Sequence, residues 1–514
     1  MNMKKYLLTL LVAFFATTAL VACGDDNDNG NGGGMPVSAL TVRPLVLTFD
    51  KKGGETTIKA QAPVQASATS NADWCQVTVG TQYGDIKVTP ITVTVSANNT
   101  TYERSAVITV TAGGQTQSVT VTQAEGDADT SGGTITMKAA DIAKLMYPGW
   151  NLGNTLEATG NGLGAETAWQ PTQTTQQVID AVKAAGFKAI RIPCSWDIHS
   201  TNGTIDAQWM ARVKQVVDYC INDGLYVVLN DHWDNGWIEV QGFSKSTSSY
   251  QAVDESDITA KISRLKDIWT QIATTFKDYD EHLLFAGLNE PFQEYSLFST
   301  RHAELTPILL RYNKAFVEAV RATGGNNSLR TLVVQGPSVN IDSSVNYMPA
   351  DKLPEAAGRL MVEVHYYDPG QFCGTYDATG DKAFYYWGAD NHGADHNPTY
   401  GEEAYLADKF GKLKSTYTSK GYPVIIGEYA ALQRTIPAGD QTKQDASVKS
   451  FYKYLNAQGI QNGIVPFAWD TNDIAGLGKE SGSTTIIDRA KASVVGSNAM
   501  SGIQEAVKEA AWMK

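Results

Sequence analysis

The chain has 514 residues, more than one ordinary domain needs, and 42 % of them are hydrophobic, enough for a large core. Lysine and arginine number 41 against 54 aspartates and glutamates, a formal net charge of −13. That balance, with no basic run and no P-loop, excludes a protein that lives by binding phosphate backbones.

The first segment reads as a targeting signal rather than as structure. Lys4 and Lys5 precede an apolar stretch from Leu7 to Ala22, too short and wrongly flanked to span a bilayer stably. It ends Leu20-Val21-Ala22-Cys23, which resembles a bacterial lipobox. That resemblance implies removal of residues 1–22 and lipidation of Cys23. Its further likeness to surface-exported lipoproteins of Bacteroidetes implies anchoring in the outer membrane, facing the medium. Residues 23–35, rich in Gly, Asn and Asp, read as a flexible tether.

Residues 36–125 alternate apolar residues with Thr, Ser or Lys in short runs: Val42–Phe49, Thr56–Ala60, Ile91–Ser96, Ala106–Thr111 and Ser118–Gln123. Gly-rich turns such as Lys52-Gly53-Gly54 and Ala112-Gly113-Gly114 separate them. Period-two strands at this spacing predict a small all-β, immunoglobulin-like sandwich. Asp73-Trp74-Cys75 and the terminal Val119-Thr120-Val121-Thr122-Gln123 resemble the BACON module. With one tryptophan and few other aromatics, the sandwich reads as a spacer rather than as a glycan binder. Residues 126–136 form a second linker.

From residue 137 to 514 strands and helices alternate. Strands are predicted over Tyr147–Gly153, Phe187–Pro193, Leu225–Asp231, Leu283–Glu290, Thr331–Gly336, Leu360–His365, Tyr422–Glu428 and Gly463–Asp470. Amphipathic stretches such as Gln176–Ala185, Trp209–Asp223, Thr259–Phe276, Leu305–Ala322, Glu403–Lys420, Ala446–Gln458 and Asn498–Met513 lie between or after them. Eight strand–helix units predict an α/β fold, a (β/α)8 TIM barrel with enlarged loops. An open doubly wound sheet is the alternative, but Gly149-Trp150-Asn151-Leu152-Gly153-Asn154 lacks the glycine spacing of a nucleotide turn. Cysteines 75, 194, 220 and 373 show neither CxxC spacing nor histidine partners, so buried free thiols are expected in place of zinc.

Barrel chemistry lives at the C-terminal ends of the strands. Those ends carry Arg191, His232 with Trp233, Asn289 with Glu290, His365 with Tyr367, Glu428, and Trp469 with Asp470. Two acids, each closing an apolar run on its own strand, are the minimum equipment for cleaving a glycosidic bond. The set resembles glycoside hydrolase family 5. Asn289-Glu290-Pro291 matches that family's acid/base motif, and Ile426-Gly427-Glu428 its nucleophile strand. The opening Gly149 to Glu157, with Glu166-Thr167-Ala168-Trp169, looks most like subfamily 4, which includes endoglucanases and xyloglucanases. Many relatives carry a second histidine where this chain has Trp233.

The resemblance implies a retaining mechanism, with Glu290 as acid/base and Glu428 as nucleophile about 5 Å apart. Glu290 would hold a proton near neutral pH, its pKa raised to about 6 as in comparable acids. Arg191 would keep Glu428 ionised and Tyr367 would orient it. Asn289, His232, His365, Trp469 and Asn154 would support the sugar, with Trp233 and Trp237 lining the cleft. The loop 366–400, rich in Tyr, Phe and Trp, reads as cleft wall. The expected product is an endo-β-1,4-glucanase, with β-glucan, and xyloglucan in particular, as its polysaccharide partner. A general endoglucanase on mixed-linkage glucan or cellulose, a transglycosylase, and a non-catalytic glycan-binding lipoprotein remain alternatives. No cofactor and no metal are called for, and a monomer is expected.

Overall fold

The computed structural model describes residues 39–72, 74–98, 104–124, 135–240, 253–292, 295–374 and 380–510. The signal segment, Cys23, the tether, Asp73, Tyr376 and most of the linker 126–136 lie outside the described residues. The chain divides into two units, Met1–Asp127 and Ala128–Lys514.

The first unit is a sandwich of two four-stranded sheets. One runs in the order Thr41–Arg43, Gly54–Gln61, Val88–Val95, Cys75–Val79; the other Val46–Phe49, Gln115–Gln123, Arg104–Ala112, Ser67–Ser70. Ile58, Ile91, Val93, Ile108, Val110, Val119 and Val121 alternate into the shared core, as period two requires. The single strand expected over Val42–Phe49 is two. Pro44 has no N–H to give a ladder, so pairing stops there and the chain passes to the other sheet, where Val46–Phe49 runs parallel to Gln115–Gln123. Ser67–Ser70 escaped the sequence reading because Ser-Ala-Thr-Ser has no apolar alternation to detect.

The second unit is a closed parallel barrel, as predicted. Its strands are β1 (Gly149–Asn151), β2 (Ala189–Ile192), β3 (Tyr226–Asn230), β4 (Leu283–Ala286), β5 (Leu332–Gln335), β6 (Leu360–Tyr366), β7 (Val424–Tyr429) and β8 (Ile464–Ala468), with β8 closing on β1. Alternation sorts each strand into two faces. Val227, Leu229, Leu283, Phe285, Val362 and Val364 point outward to the helices. Tyr226, Val228, Leu284, Val333, Met361, Ile425 and Phe467 fill the interior together with the helix Ala139–Leu145, which the sequence reading did not anticipate. Continuing that alternation toward the C-terminal ends brings a buried polar layer above this plug: Asn151, Arg191, Asn230, Gln335 and Glu363.

The predicted strands overshoot. Glu290 lies four residues beyond the end of β4 and His232 two beyond β3. An apolar run continues into the strand-end turn because that turn is itself buried, so hydrophobicity alone does not mark where pairing stops. The aromatic loop after β6 corrects another expectation. Tyr366, Phe372 and Trp387 are buried in the main core, and Tyr385 and Tyr386 in a satellite cluster with Ala383 and Ile436. These rings hold the loop down rather than line a cleft. Cys75, Cys194, Cys220 and Cys373 are buried free thiols. Among the described residues no helix is long and apolar enough to cross a membrane.

Candidate active site

At β7 the ladder register shifts between Ile426 and Tyr429. Without that bulge, strict alternation from inward Ile425 would send Glu428 outward among the helices. The extra residue resets the phase, so Glu428 faces the barrel mouth while Tyr429 packs into the outer core. Gly427 makes this possible: a Cβ there would overlap the Glu363 carboxylate and lie 2.9 Å from His365 Nε2. Its carbonyl accepts from Asn151 Nδ2 at 2.8 Å.

Glu428 is held on both oxygens. Arg191 Nη1 donates to Oε1 at 3.1 Å and the Tyr367 hydroxyl to Oε2 at 3.0 Å. Arg191 is wholly buried and branches to two further acceptors, Asn151 Oδ1 at 3.0 Å and Asn289 Oδ1 at 2.6 Å, while its Nε is ion-paired with Glu363 Oε1 at 2.9 Å. His365 Nδ1 lies 2.8 Å from Glu290 Oε1 and 3.7 Å from Glu428 Oε2, while its Nε2 lies 3.3 Å from Glu363 Oε1. His232 receives the Asn230 amide on Nδ1 at 3.2 Å, which leaves its proton on Nε2, 4.0 Å from Glu428. Trp469 stacks beside His232 with ring planes 6° apart.

The electrostatics follow from burial and neighbours. Burial pulls His365 down, but Glu428, Glu290 and Glu363 outweigh it and hold the ring up at about 9. Burial, then Arg191 and His365, push His232 well below its ordinary value, so it is neutral. Burial drives Glu428 upward and Glu290 adds to this; His365, Arg191 and the Tyr367 hydroxyl oppose it. Glu363 resists burial and is held low by Arg191, His365 and Gln335. Burial and the two flanking acids keep the Tyr367 hydroxyl protonated.

Most expected site residues therefore converge: Glu290, Glu428, Arg191, His232, Asn289, His365, Tyr367 and Trp469. Three differ. Asn154 sits in the turn after β1 with left-handed backbone (φ 58°), its N–H donating to the buried Glu157 carboxylate. Trp237 packs half-buried against the main core rather than standing free as lining. Trp233 is exposed at the rim. The reading missed Asn151, Gln335 and Glu363. Glu363 had a signal: an acid two residues before His365, hence on the same face, inside an apolar strand. Asp470 carries Trp469 at the end of β8, accepting from Trp150 Nε1 at 3.0 Å and from the Ile486 and Ile487 N–H groups at 2.9 Å.

Glu290, His365 and Glu428 offer ligand atoms within 4.8 Å of one another. A cation there would displace a charge balance already struck, with Arg191 paired to Glu428 and Glu363 and the His365 nitrogens facing Glu290 and Glu363. What the arrangement suits is proton transfer and nucleophilic attack across one gap.

Comparison with known proteins agrees with this geometry. The cellulase (glycosyl hydrolase family 5) model matches residues 155–474, and the BACON model matches residues 64–124. A xyloglucan-specific endo-β-1,4-glucanase of Bacteroides ovatus is 30 % identical over 494 residues, 91 % of this chain and 92 % of that protein. Endoglucanase A of Paenibacillus barcinonensis is 36 % identical over 350 residues, 65 % of this chain and 82 % of its own. Among solved structures, a xyloglucan-specific β-1,4-glucanase from a ruminal metagenomic library, in complex with XXLG, is 77 % identical with a TM-score of 0.70, covering 72 % of this chain and 96 % of that one. Two acids on separate strands of a parallel barrel, and a family model spanning the segment that carries both Glu290 and Glu428, have one common reading: the chain belongs to glycosyl hydrolase family 5 and is an endoglucanase with a BACON domain before its barrel.

Proposed function

We propose that this endoglucanase acts on xyloglucan, cleaving internal β-1,4 bonds with retention. The observation that carries the substrate is the 77 % identity to a xyloglucan-specific enzyme solved with XXLG. The Bacteroides ovatus relative, whose match runs through both units, supports it. Retention is supported by the carboxylate separation. Ligand oxygens of Glu290 and Glu428 within 4.8 Å match the roughly 5 Å of retaining enzymes and leave no room for the water of an inverting one.

In this reading Glu290 protonates the glycosidic oxygen as the Glu428 carboxylate bonds to the anomeric carbon. Glu290 then takes a proton from water as the hydroxyl displaces Glu428. Asn289, fixed by Arg191, grips the 2-hydroxyl, and Trp469 stacks under the cleaved sugar. The N-terminal unit acts as a spacer: Trp74 is packed against its core rather than displayed as a platform. Lipidation at Cys23 and attachment to the outer membrane complete the proposal, resting on the lipobox-like segment alone.

A broader β-glucanase is the second reading, favoured by relatives such as a broad-specificity endoglucanase from Bacteroides salanitronis, 29 % identical with a TM-score of 0.63. Product analysis on tamarind xyloglucan, barley β-glucan, carboxymethylcellulose and galactomannan separates them, with Glu428→Ala as the blank. Rapid oligosaccharide release from xyloglucan, abolished in the variant, is the expected result. Activity confined to unbranched glucans would overturn the substrate and keep the chemistry.

A further inference from the structure

We propose that Glu363, buried beneath the two acids, is a positioning residue that fixes the Nε2 proton of His365 and so places the mobile proton of the pair in the hydrogen bond to Glu290. The inference rests on the assignment of Glu290 as proton donor and Glu428 as nucleophile. It adds a third carboxylate that touches neither substrate nor reacting atom.

The geometry leaves Glu363 little freedom. Its side chain is wholly buried on the inward face of β6. Gln335 Nε2 on β5 donates to Oε2 at 2.6 Å, and the Arg191 Nε on β2 lies 2.9 Å from Oε1. Gly427 on β7 presses so close that any side chain there would collide with the carboxylate. The same Oε1 meets His365 Nε2 at 3.3 Å. An ionised carboxylate only accepts, so the nitrogen facing it must carry the proton. Proton exchange by the imidazole is then confined to Nδ1, which faces Glu290 Oε1 at 2.8 Å.

The charged and titratable groups facing His365 are Glu290 beyond β4, Glu428 on β7, Glu363 on its own strand, and His232 beyond β3; Arg191 on β2 is tied to Glu363 and Glu428 and so sets their charge. In the first step the mobile proton passes through Glu290 to the leaving oxygen while the carbon–oxygen bond breaks and the ester to Glu428 forms. The Nδ1 lone pair then faces the Glu290 carboxylate, with Glu363 holding the other nitrogen's proton in place. Two electron-rich atoms at hydrogen-bond distance repel, and that repulsion is relieved when Glu290 takes a proton from water as its hydroxide bonds to carbon and Glu428 is released. Glu363 thereby makes the Glu290–His365 pair a stronger base in the second step.

The test compares Glu363→Gln with Glu363→Asp in the full chain, on whichever β-glucan the wild type hydrolyses fastest, measuring kcat/KM against pH. The alkaline limb of Glu363→Gln is expected to fall by about one to two pH units, the effect of removing one adjacent charge. Glu363→Asp keeps the charge and is expected to keep the limb near wild type even where its amplitude drops. A limb unmoved in Glu363→Gln, or moved equally in both variants, overturns the proposal. Should Glu363→Gln not fold, 15N imidazole spectra of the wild type above about pH 9, where the ring keeps one proton, decide: that proton on His365 Nε2 is expected, and on Nδ1 it overturns the proposal. An aryl cellobioside whose dinitrophenolate leaves without a proton tests the underlying assignment separately. If the wild type keeps its alkaline limb on that substrate when glycosylation limits the rate, the role given to Glu290 fails whatever the Glu363 variants do.

Discussion

Replacing Tyr367 with phenylalanine removes one hydrogen bond and almost no volume. The hydroxyl donates to Glu428 Oε2 at 3.0 Å from a side chain half-buried against the main core. A hydrogen bond to a charged group is worth about 1.5–3 kcal/mol. Tyr367 favours the ionised form of Glu428, so its loss raises the Glu428 pKa further above the ordinary carboxylate range. At 1.36 kcal/mol per pKa unit that is a shift of about one to two units. The acid limb of kcat/KM should move upward by that amount in Tyr367→Phe, and activity on the acid side of both limbs should fall about 10- to 100-fold. The alkaline limb should stay in place, and kcat/KM near the optimum should fall less. The assay is initial-rate hydrolysis of a β-glucan oligosaccharide across pH, with circular dichroism to confirm folding. A uniform loss at every pH, with the acid limb unmoved, would refute the idea that this hydroxyl tunes the ionisation of Glu428.

Three further outcomes follow from the same geometry. His365 is held at about 9 against an ordinary value of 6.5, so its neighbours stabilise the fold fully below about pH 6.5, and that contribution, ~3 kcal/mol, is lost as pH rises through about 9; urea unfolding of wild type and His365→Gln should differ in pH slope across this window. Gly427→Ala should destabilise by about 1–3 kcal/mol and depress activity, because its Cβ must push Glu363 aside, with the denaturation midpoint as the measure. Trp469→Ala, in a Glu428→Ala background that cannot turn over, should weaken oligosaccharide binding about tenfold by calorimetry, the equivalent of about 1.4 kcal/mol of lost aromatic coverage.

The barrel was legible because period-two and helical patterns alternate over the whole of residues 137–514, and because each strand-end turn stays apolar enough to keep its polar terminus conspicuous. Glu290 and Glu428 stood out for that reason. The bulge at β7 was not legible. Ile426-Gly427-Glu428 reads as an uninterrupted strand, and only the register shift between Ile426 and Tyr429 shows how Glu428 reaches the mouth. Glu363 was overlooked because an acid in the middle of a buried strand looks like an interruption until its partners on β2 and β5 are known. The aromatic residues after β6 misled because composition records how many rings a loop holds and says nothing of which way they face. Trp387, wholly buried, and Trp233, exposed at the rim, are the same letter in sequence.

The two acids differ in how they are held, and the difference matches what the proposed mechanism asks of each. The Glu428 side chain is only 8 % exposed, with Arg191 on one oxygen and Tyr367 on the other. A nucleophile gains from being fixed, since attack on one carbon needs one trajectory and misplacement by even an ångström is costly. The Glu290 side chain is 30 % exposed and meets His365 on Oε1. A group that gives a proton to a departing sugar and later takes one from water has to reach both, and a fully enclosed carboxyl would reach neither. Burial on one side of the gap and partial exposure on the other thus support the proposed roles on grounds separate from the strand each acid follows. The same asymmetry explains the polar layer below. Arg191 bridges Glu363 inside the barrel and Glu428 at the mouth, so one guanidinium ties the layer to the more enclosed acid.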